Sequence, residues 1–163
     1  PMAFLPKTSI VSDSCLFVPN ASSYHFGILT STMHMAWMRQ VCGRLERRYR
    51  YSNELVYNNY PWPLGISKEN AAKISNKAEE IIKVRELFDS SSLADLYDPL
   101  TMPKELRKAH EELDKLVDKS YRPQAFNSEK QRLEYLFGLY RDRTANLFTD
   151  EEKSKKPKRK KNI

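Results

Sequence analysis

The sequence predicts an α+β protein that is mainly α, with short β-strands and one long helix at the N-terminal end, then an antiparallel helical bundle and a disordered basic tail. Three observations predict it. Beyond residue 64, apolar residues recur at spacings of three and four in three separate stretches, the pattern of amphipathic helices. Before residue 64, one such stretch is flanked by short apolar runs broken by polar turns. At the end, Lys153, Lys155, Lys156, Lys158, Arg159, Lys160 and Lys161 crowd into a segment without an acid or a buriable face.

Residues 7–18 read as two short strands separated by the Ser12, Asp13, Ser14 turn and closed by Pro19 and Asn20. A long helix is expected from Ser22 or Ser23 to Gly43. Phe26, Leu29, Met33, Trp37 and Val41 share its face, while Gly27 and the cluster Thr30, Ser31, Thr32 weaken its first turns. Residues 44–51 are cationic and aromatic at once and form a loop or a strand. Leu55, Val56 and Tyr57 are a further strand candidate, and Pro61 and Pro63 end regular structure there. Ser67 caps a helix reaching about Phe88, a short turn covers residues 92–97, and Pro103 opens a helix that ends before Pro123. Ser128 and Gln131 have capping-box spacing and open the last helix, in which Leu133, Leu136, Phe137, Tyr140 and Leu147 face inward. Three such helices cannot bury their stripes singly and should pack together. The regions are therefore 1–63, 64–149 and the tail 150–163.

Charge and composition narrow the function. The net charge of +7 equals the tail's seven cations, so the body is nearly neutral and any argument for a polyanionic partner must rest on a local cluster. The tail itself reads either as a salt-sensitive arm for nucleic acid or as a solubilising end. No apolar run approaches the roughly 20 residues of a membrane span, and the first residues lack a signal peptide's basic start and apolar stretch. A cytoplasmic protein without membrane contact is expected. The absence of methionine at position 1 leads us to expect a piece of a longer chain. Cys15 and Cys42 lie among apolar residues and are expected to be reduced and buried.

Chemistry-bearing sets are sparse. Cys15, His25, His34 and Cys42 do not have the close ligand pairs of zinc fingers or ribbons, and His34, on the apolar helix, is expected to be a hydrogen-bonded core residue. Glu79, Glu80, Glu111 and Glu112 fall on ordinary helix faces. Four glycines and no strand-to-helix glycine loop leave no cofactor pocket, so no cofactor or metal is expected in this chain. Tyr60, Pro61 and Trp62 read as a structural joint. The sharpest feature is residues 44–52. Arginine pairs with guanine O6 and N7, glutamate accepts from the cytosine amino group, and an extended chain would align Glu46, Arg48 and Arg50 on one face. Arg44 and Arg47 would then meet phosphates. The plain alternative is a solvated basic loop with Tyr49 and Tyr51 packed down.

The run PNASSYHFGILTSTMHMAWMR at residues 19–39, followed by VCGRL at 41–45, YRYS at 49–52 and VYNNYPWP at 56–63, resembles the target-recognition region of MmeI-like (type IIL/IIG) restriction-modification enzymes. A second block, SSLADLYDPLTMPKEL at 91–106 with Ala109, His110, Leu113 and Asp114, resembles the helical C-terminal domain of that family. Together they span residues 6–147. The resemblance implies a parent chain whose adenine-N6 methyltransferase domain lies upstream and uses S-adenosylmethionine. In restricting members an endonuclease domain requiring Mg2+ lies upstream as well. It implies that residues 1–63 end the target-recognition domain, that 64–149 are the helical C-terminal domain, and that double-stranded DNA and the upstream domain are the partners. It places base recognition at Glu46, Arg48 and Arg50, with a second specificity position at Asp13 and Ser14. Arg44, Arg47, Tyr49 and Tyr51 are then the expected contacts to the DNA backbone. The competing expectation is a helical interaction module that braces neighbouring domains or a partner subunit, with Arg44 to Arg50 packed on protein in salt bridges.

Overall fold

A computed structural model describes residues 1–13, 15–46 and 48–154, with side chains to residue 145. Ser14, Arg47, the Leu147 side chain and residues 155–163 of the expected tail lie outside the described residues, while residues 150–154, also expected in the tail, continue the last helix. The element order is α1 (Ser23–Thr30), α2 (Thr32–Val41), β1 (Gly43–Leu45), β2 (Arg48–Arg50), a π-helical turn (Asn53–Tyr57), α3 (Lys68–Glu86), α4 (Leu93–Leu96), α5 (Lys104–Tyr121) and α6 (Glu129–Ser154). The mainly helical class with a small strand component is what the residue pattern predicts.

Residues 7–18 form no strand among the described residues. Turns close from Ser9 N–H to the Pro6 carbonyl (2.9 Å) and from Cys15 N–H to the Ser12 carbonyl (3.0 Å). A strand needs a neighbouring ladder and a face to bury. Neither is present: Ile10 is 100% exposed, and Leu16 and Phe17 are also on the surface. Cys15 is exposed with them, against expectation, while Cys42 is half-buried; both thiols are free.

The long helix is two helices. Ser31 has extended backbone (φ −72°, ψ 157°) and serves both pieces, since its hydroxyl donates to the Ile28 carbonyl (2.7 Å) and accepts the His34 N–H (3.4 Å). A hydroxyl that offers the backbone a local alternative competes with continuous helix. The break frees the Thr32 N–H, which donates to the Asp114 carboxylate on α5 at 2.7 Å. A carboxylate at a helix N-terminus meets both an unpaired donor and the positive end of the helix dipole. Residues 55–57 are likewise helical rather than extended. The Ser52 hydroxyl accepts the Leu55 N–H (3.3 Å), and the chain winds once so that Val56 is fully buried.

The later helices start where their capping residues indicate. Ser67 accepts the Asn70 N–H (3.2 Å), and Ser92 and Asp95 form a reciprocal box. Ser128 accepts the Gln131 N–H (3.2 Å) while the Gln131 side chain returns to the Asn127 N–H (2.9 Å). These helices do not form the bundle by themselves, however. α1 packs on α3, α2 on α6, and α5 touches α1, α2 and α3. One core therefore joins Ile28, Met33 and Trp37 to Ile74, Leu113 and Leu136. Tyr60 and Pro61 are buried in the joint, where Trp62 packs against the Tyr60 ring at 5.6 Å. α5 and α6 are linked by Asp118 and Arg132, which meet through two hydrogen bonds of 3.0 and 2.6 Å with both side chains mostly buried. Among the described residues no helix is long and apolar enough to cross a membrane.

The α1/α3 contact depends on Gly27. A Cβ there would lie 2.8 Å from Ile74 Cγ2 and 3.3 Å from Ala78 Cβ, whereas a Cβ at Gly138 on α6 would meet nothing within 4 Å. Overpacking typically costs about 1–3 kcal/mol, and replacing an unneeded helical glycine by alanine gains roughly 0.5–1 kcal/mol. Urea denaturation is expected to show Gly27→Val destabilised by about 2 kcal/mol and Gly138→Ala slightly stabilised. Equal effects at the two positions would contradict the close helix approach.

Candidate nucleic-acid interface

The cationic segment folds into a two-stranded antiparallel hairpin. Gly43 pairs with Arg50, Arg44 with Tyr49, and Leu45 with Arg48. Directly paired residues project to the same side of a sheet. Arg48, Arg50 and Leu45 therefore share one face, and Arg44 and Tyr49 share the other. All six strand residues are exposed. The expected alternation holds for Arg48 and Arg50 and ends at Glu46, which lies in the tip with φ +57°. Joining Leu45 to Arg48 through two residues requires a tight reversal, and such reversals use left-handed backbone.

The hairpin grows from a firmly held root. The Cys42 N–H still bonds to the Met38 carbonyl (3.0 Å), so β1 leaves directly from the end of α2. On the return, Tyr51 is half-buried and its hydroxyl meets Nε2 of His34 at 3.0 Å. Just beyond, Trp37 Nε1–H donates to the Val56 carbonyl at 3.1 Å, and the Tyr60 ring packs edge-on against His34 at 4.6 Å. Burial drives the His34 pKa down to about 4, so the ring is neutral near pH 7. Burial, with a contribution from Tyr57, pushes the Tyr51 phenol well above its ordinary value. His34 is thus the hydrogen-bonded core residue that its place on an apolar face indicates.

Toward the tip the side chains are largely unspent. Arg48 Nη2 lies 3.6 Å from Glu46, but these side chains are 83% and 77% exposed, so the pair contributes little and exchanges readily with other partners. Arg44 stacks over the Tyr49 ring at 4.5 Å and bonds its hydroxyl at 3.3 Å. Arg50 has no ion pair among the described residues. The Arg48 and Arg50 side chains are thus exposed, while the Arg44 guanidinium lies on the Tyr49 ring of the same hairpin. Asp13 is in an exposed turn with the Ser12 hydroxyl at 3.3 Å, and among the described residues no hydrogen bond joins it to the hairpin. Ser14 and Arg47 lie outside the described residues. Leu45 was not singled out from the residue pattern. Its register opposite Arg48 shows that it shares the arginine face, a fact that depends on where the chain reverses.

The other two histidines are held in local hydrogen bonds. His25 Nδ1 accepts the Ser22 N–H (3.2 Å) at the start of α1, and His110 Nε2 meets the Tyr97 hydroxyl (2.7 Å). No group of three or more His, Cys, Asp or Glu among the described residues is arranged to hold a metal ion. An open groove of about 470 Å³ beside α3 includes Phe4, Phe26 and Arg85, but Arg85 is already bonded to Tyr97 and to the Met2 carbonyl.

Residues 1–64 match the family model described as "MmeI, target recognition domain", and residues 66–148 match "MmeI, C-terminal domain". The chain belongs to the MmeI family. This MmeI-family chain is 42% identical over 144 residues to DNA methyltransferase A of Bacillus subtilis (strain 168), an alignment covering 88% of the chain and 16% of that protein. It is also similar to the type IIL restriction-modification enzyme MmeI, solved in complex with DNA. That likeness has a TM-score of 0.75 and 48% identity, covering 78% of the chain and 17% of the MmeI chain. The chain thus spans about one sixth of the length of these relatives. The hairpin falls in the part matching the target recognition domain, and α3, α4 and α5 fall in the part matching the C-terminal domain.

The buried side chains of this MmeI-family chain give its stability a definite pH dependence. His34 and His110 both fall from 6.5 to about 4, His110 through burial and then the Arg85 charge. Between these values the unfolded chain binds more protons at both histidines, so the stabilisation present above pH 6.5 is lost on acidification. Asp114 opposes them, because burial outweighs its bonds to Thr32 and raises it from 3.8 to about 6, making the folded chain the better proton binder there. Two histidines against one aspartate leave about one proton in favour of the unfolded state, or roughly 1.4 kcal/mol per pH unit. Urea titrations at pH 7 and pH 5 are expected to show lower stability at pH 5. Unchanged or greater stability would contradict the burial of two neutral imidazoles.

Proposed function

We propose that this chain is the sequence-reading and helical C-terminal part of a site-specific adenine-N6 DNA methyltransferase that takes its methyl group from S-adenosylmethionine in an upstream domain. In a restricting parent, an upstream endonuclease domain would use Mg2+ as well. The observation that carries the reading is the exposed two-stranded hairpin, with Arg48 and Arg50 side by side on one face. A two-stranded ribbon fits the major groove, about 12 Å wide, where arginine, glutamate and an apolar side chain such as Leu45 each have a matching base edge. Glu46, Arg48 and Arg50 read bases, with Asp13 and Ser14 as a second position, while Arg44, Arg47 and Tyr49 hold phosphates.

The exposed Ile10, Leu16 and Phe17 favour an additional contact. Isolated apolar residues on a surface are ordinary, but three exposed within eight residues of an irregular segment fit a covered stretch. We assign that cover to an upstream domain of the same parent chain, which would then lie beside the second reading position at Asp13 and Ser14.

The test is the full-length parent enzyme carrying Arg48→Ala, assayed for methylation of the preferred duplex and of its single-base variants. Discrimination at one base pair is expected to fall by about 1–3 kcal/mol while the other positions are less affected. An unchanged site preference would rule out Arg48 as a base reader.

A further inference from the structure

Base-reading arginines must be aimed as well as exposed, and six strand residues cannot aim themselves. A hairpin with three ladder pairs is marginal alone in water, so its direction is inherited from its root. One leg is continuous with α2 through the Cys42 bond to Met38. The other leg is fixed at Tyr51, the first residue beyond β2, whose hydroxyl bonds to the fully buried His34. Alternate side chains of an extended chain take opposite sides. Drawing Tyr51 into the body therefore turns Arg50 outward, and Arg48 with it.

We propose that Tyr51 is a positioning residue for DNA sequence reading: its hydrogen bond to His34 sets the direction in which Arg48 and Arg50 project. The inference rests on the base-reading role proposed above and gives Tyr51 a positioning role in place of the backbone contact that the family resemblance implies. Tyr51 follows the cationic strand and invites a phosphate contact, but its hydroxyl is committed to His34 and its ring is half-buried. The ring nitrogen in turn depends on Tyr51, because Nδ1 of His34 has no hydrogen-bond partner among the described residues. Buried polar groups left unpaired are costly, so the bond holds β2 down more firmly than an exposed contact of the same length.

The test compares Tyr51→Phe, Arg48→Ala and the double variant in the full-length methyltransferase. Methylation of the preferred duplex, of its single-base variants and of unrelated DNA is measured at two salt concentrations. Tyr51→Phe is expected to reduce discrimination about tenfold at the base pair that Arg48→Ala affects, the scale of one paired contact to a base edge. Nonspecific affinity and its salt slope are expected to stay unchanged, and the double variant to be no worse there than Arg48→Ala alone. Faster amide hydrogen exchange at residues 48–50 in DNA-free Tyr51→Phe provides a second readout. A uniform loss on all sequences with a shallower salt slope would make Tyr51 a phosphate contact and overturn the proposal. Lower thermal stability with intact discrimination and unchanged exchange would overturn it in favour of simple packing. If Arg48→Ala itself leaves site preference intact, the base-reading role fails first, and that outcome is distinct from failure of Tyr51 alone.

Discussion

Of the ring nitrogens buried on α2, Trp37 Nε1 and His34 Nε2 find partners on the same returning segment of chain, and His34 Nδ1 finds none among the described residues. Trp37 Nε1–H reaches the Val56 carbonyl and His34 Nε2 reaches the Tyr51 hydroxyl. In a water-poor interior these bonds are expensive to leave unmade. They require the chain that leaves the end of α2 to come back within ten residues and lie along the same helix. The hairpin is the excursion between departure and return. Its small size, its exposure and its place next to the core all follow from that requirement.

The same helix pair organises the remainder. The break at Ser31 exposes the Thr32 N–H to Asp114 on α5, while Gly27 lets α1 approach α3 closely enough that even a methyl group would collide. α6 covers the other side of α2, where Phe137 and Tyr140 lie against Trp37 at 5.2 and 5.8 Å. The helical region matching the C-terminal domain therefore supports the recognition segment directly. Burial keeps this support neutral where it is polar: His34 and His110 are uncharged near pH 7, while Arg132 is matched by Asp118.

What the sequence makes legible is whatever is determined over three or four residues. Ser67, Ser92 and Ser128 announce helix starts because the acceptor and the N–H it meets are close in the chain. Trp37 and His34 are readable as core from their period, and residues 44–51 as the sharpest chemical cluster from their composition. Most failures concern partners that are far away. Residues 7–18 have strand-like residues but no ladder to join; Leu55 to Tyr57 are a local miss, equally apolar yet wound up by the cap at Ser52 three residues before Leu55. The hairpin's register escapes a sequence reading because residues 46–47 lack the asparagine or glycine that usually marks a two-residue reversal. No local pattern indicates that Asp114 will find Thr32 across 82 positions.

The arrangement separates two demands that usually conflict. Side chains that read DNA must be exposed, charged and replaceable without unfolding the protein, whereas their direction must be held to within a fraction of an ångström. Here the bonds that fix direction involve Tyr51, His34, Trp37 and the Val56 carbonyl, all at or below the root. The side chains offered outward, Arg48 and Arg50, contribute almost nothing to the core. If the proposed reading holds, substitution at the tip changes which base is met while leaving the fold intact, and substitution at the root blurs every contact without touching DNA. Tyr51, just past the end of β2, and Arg50, its last residue, are where core support and exposed charge meet.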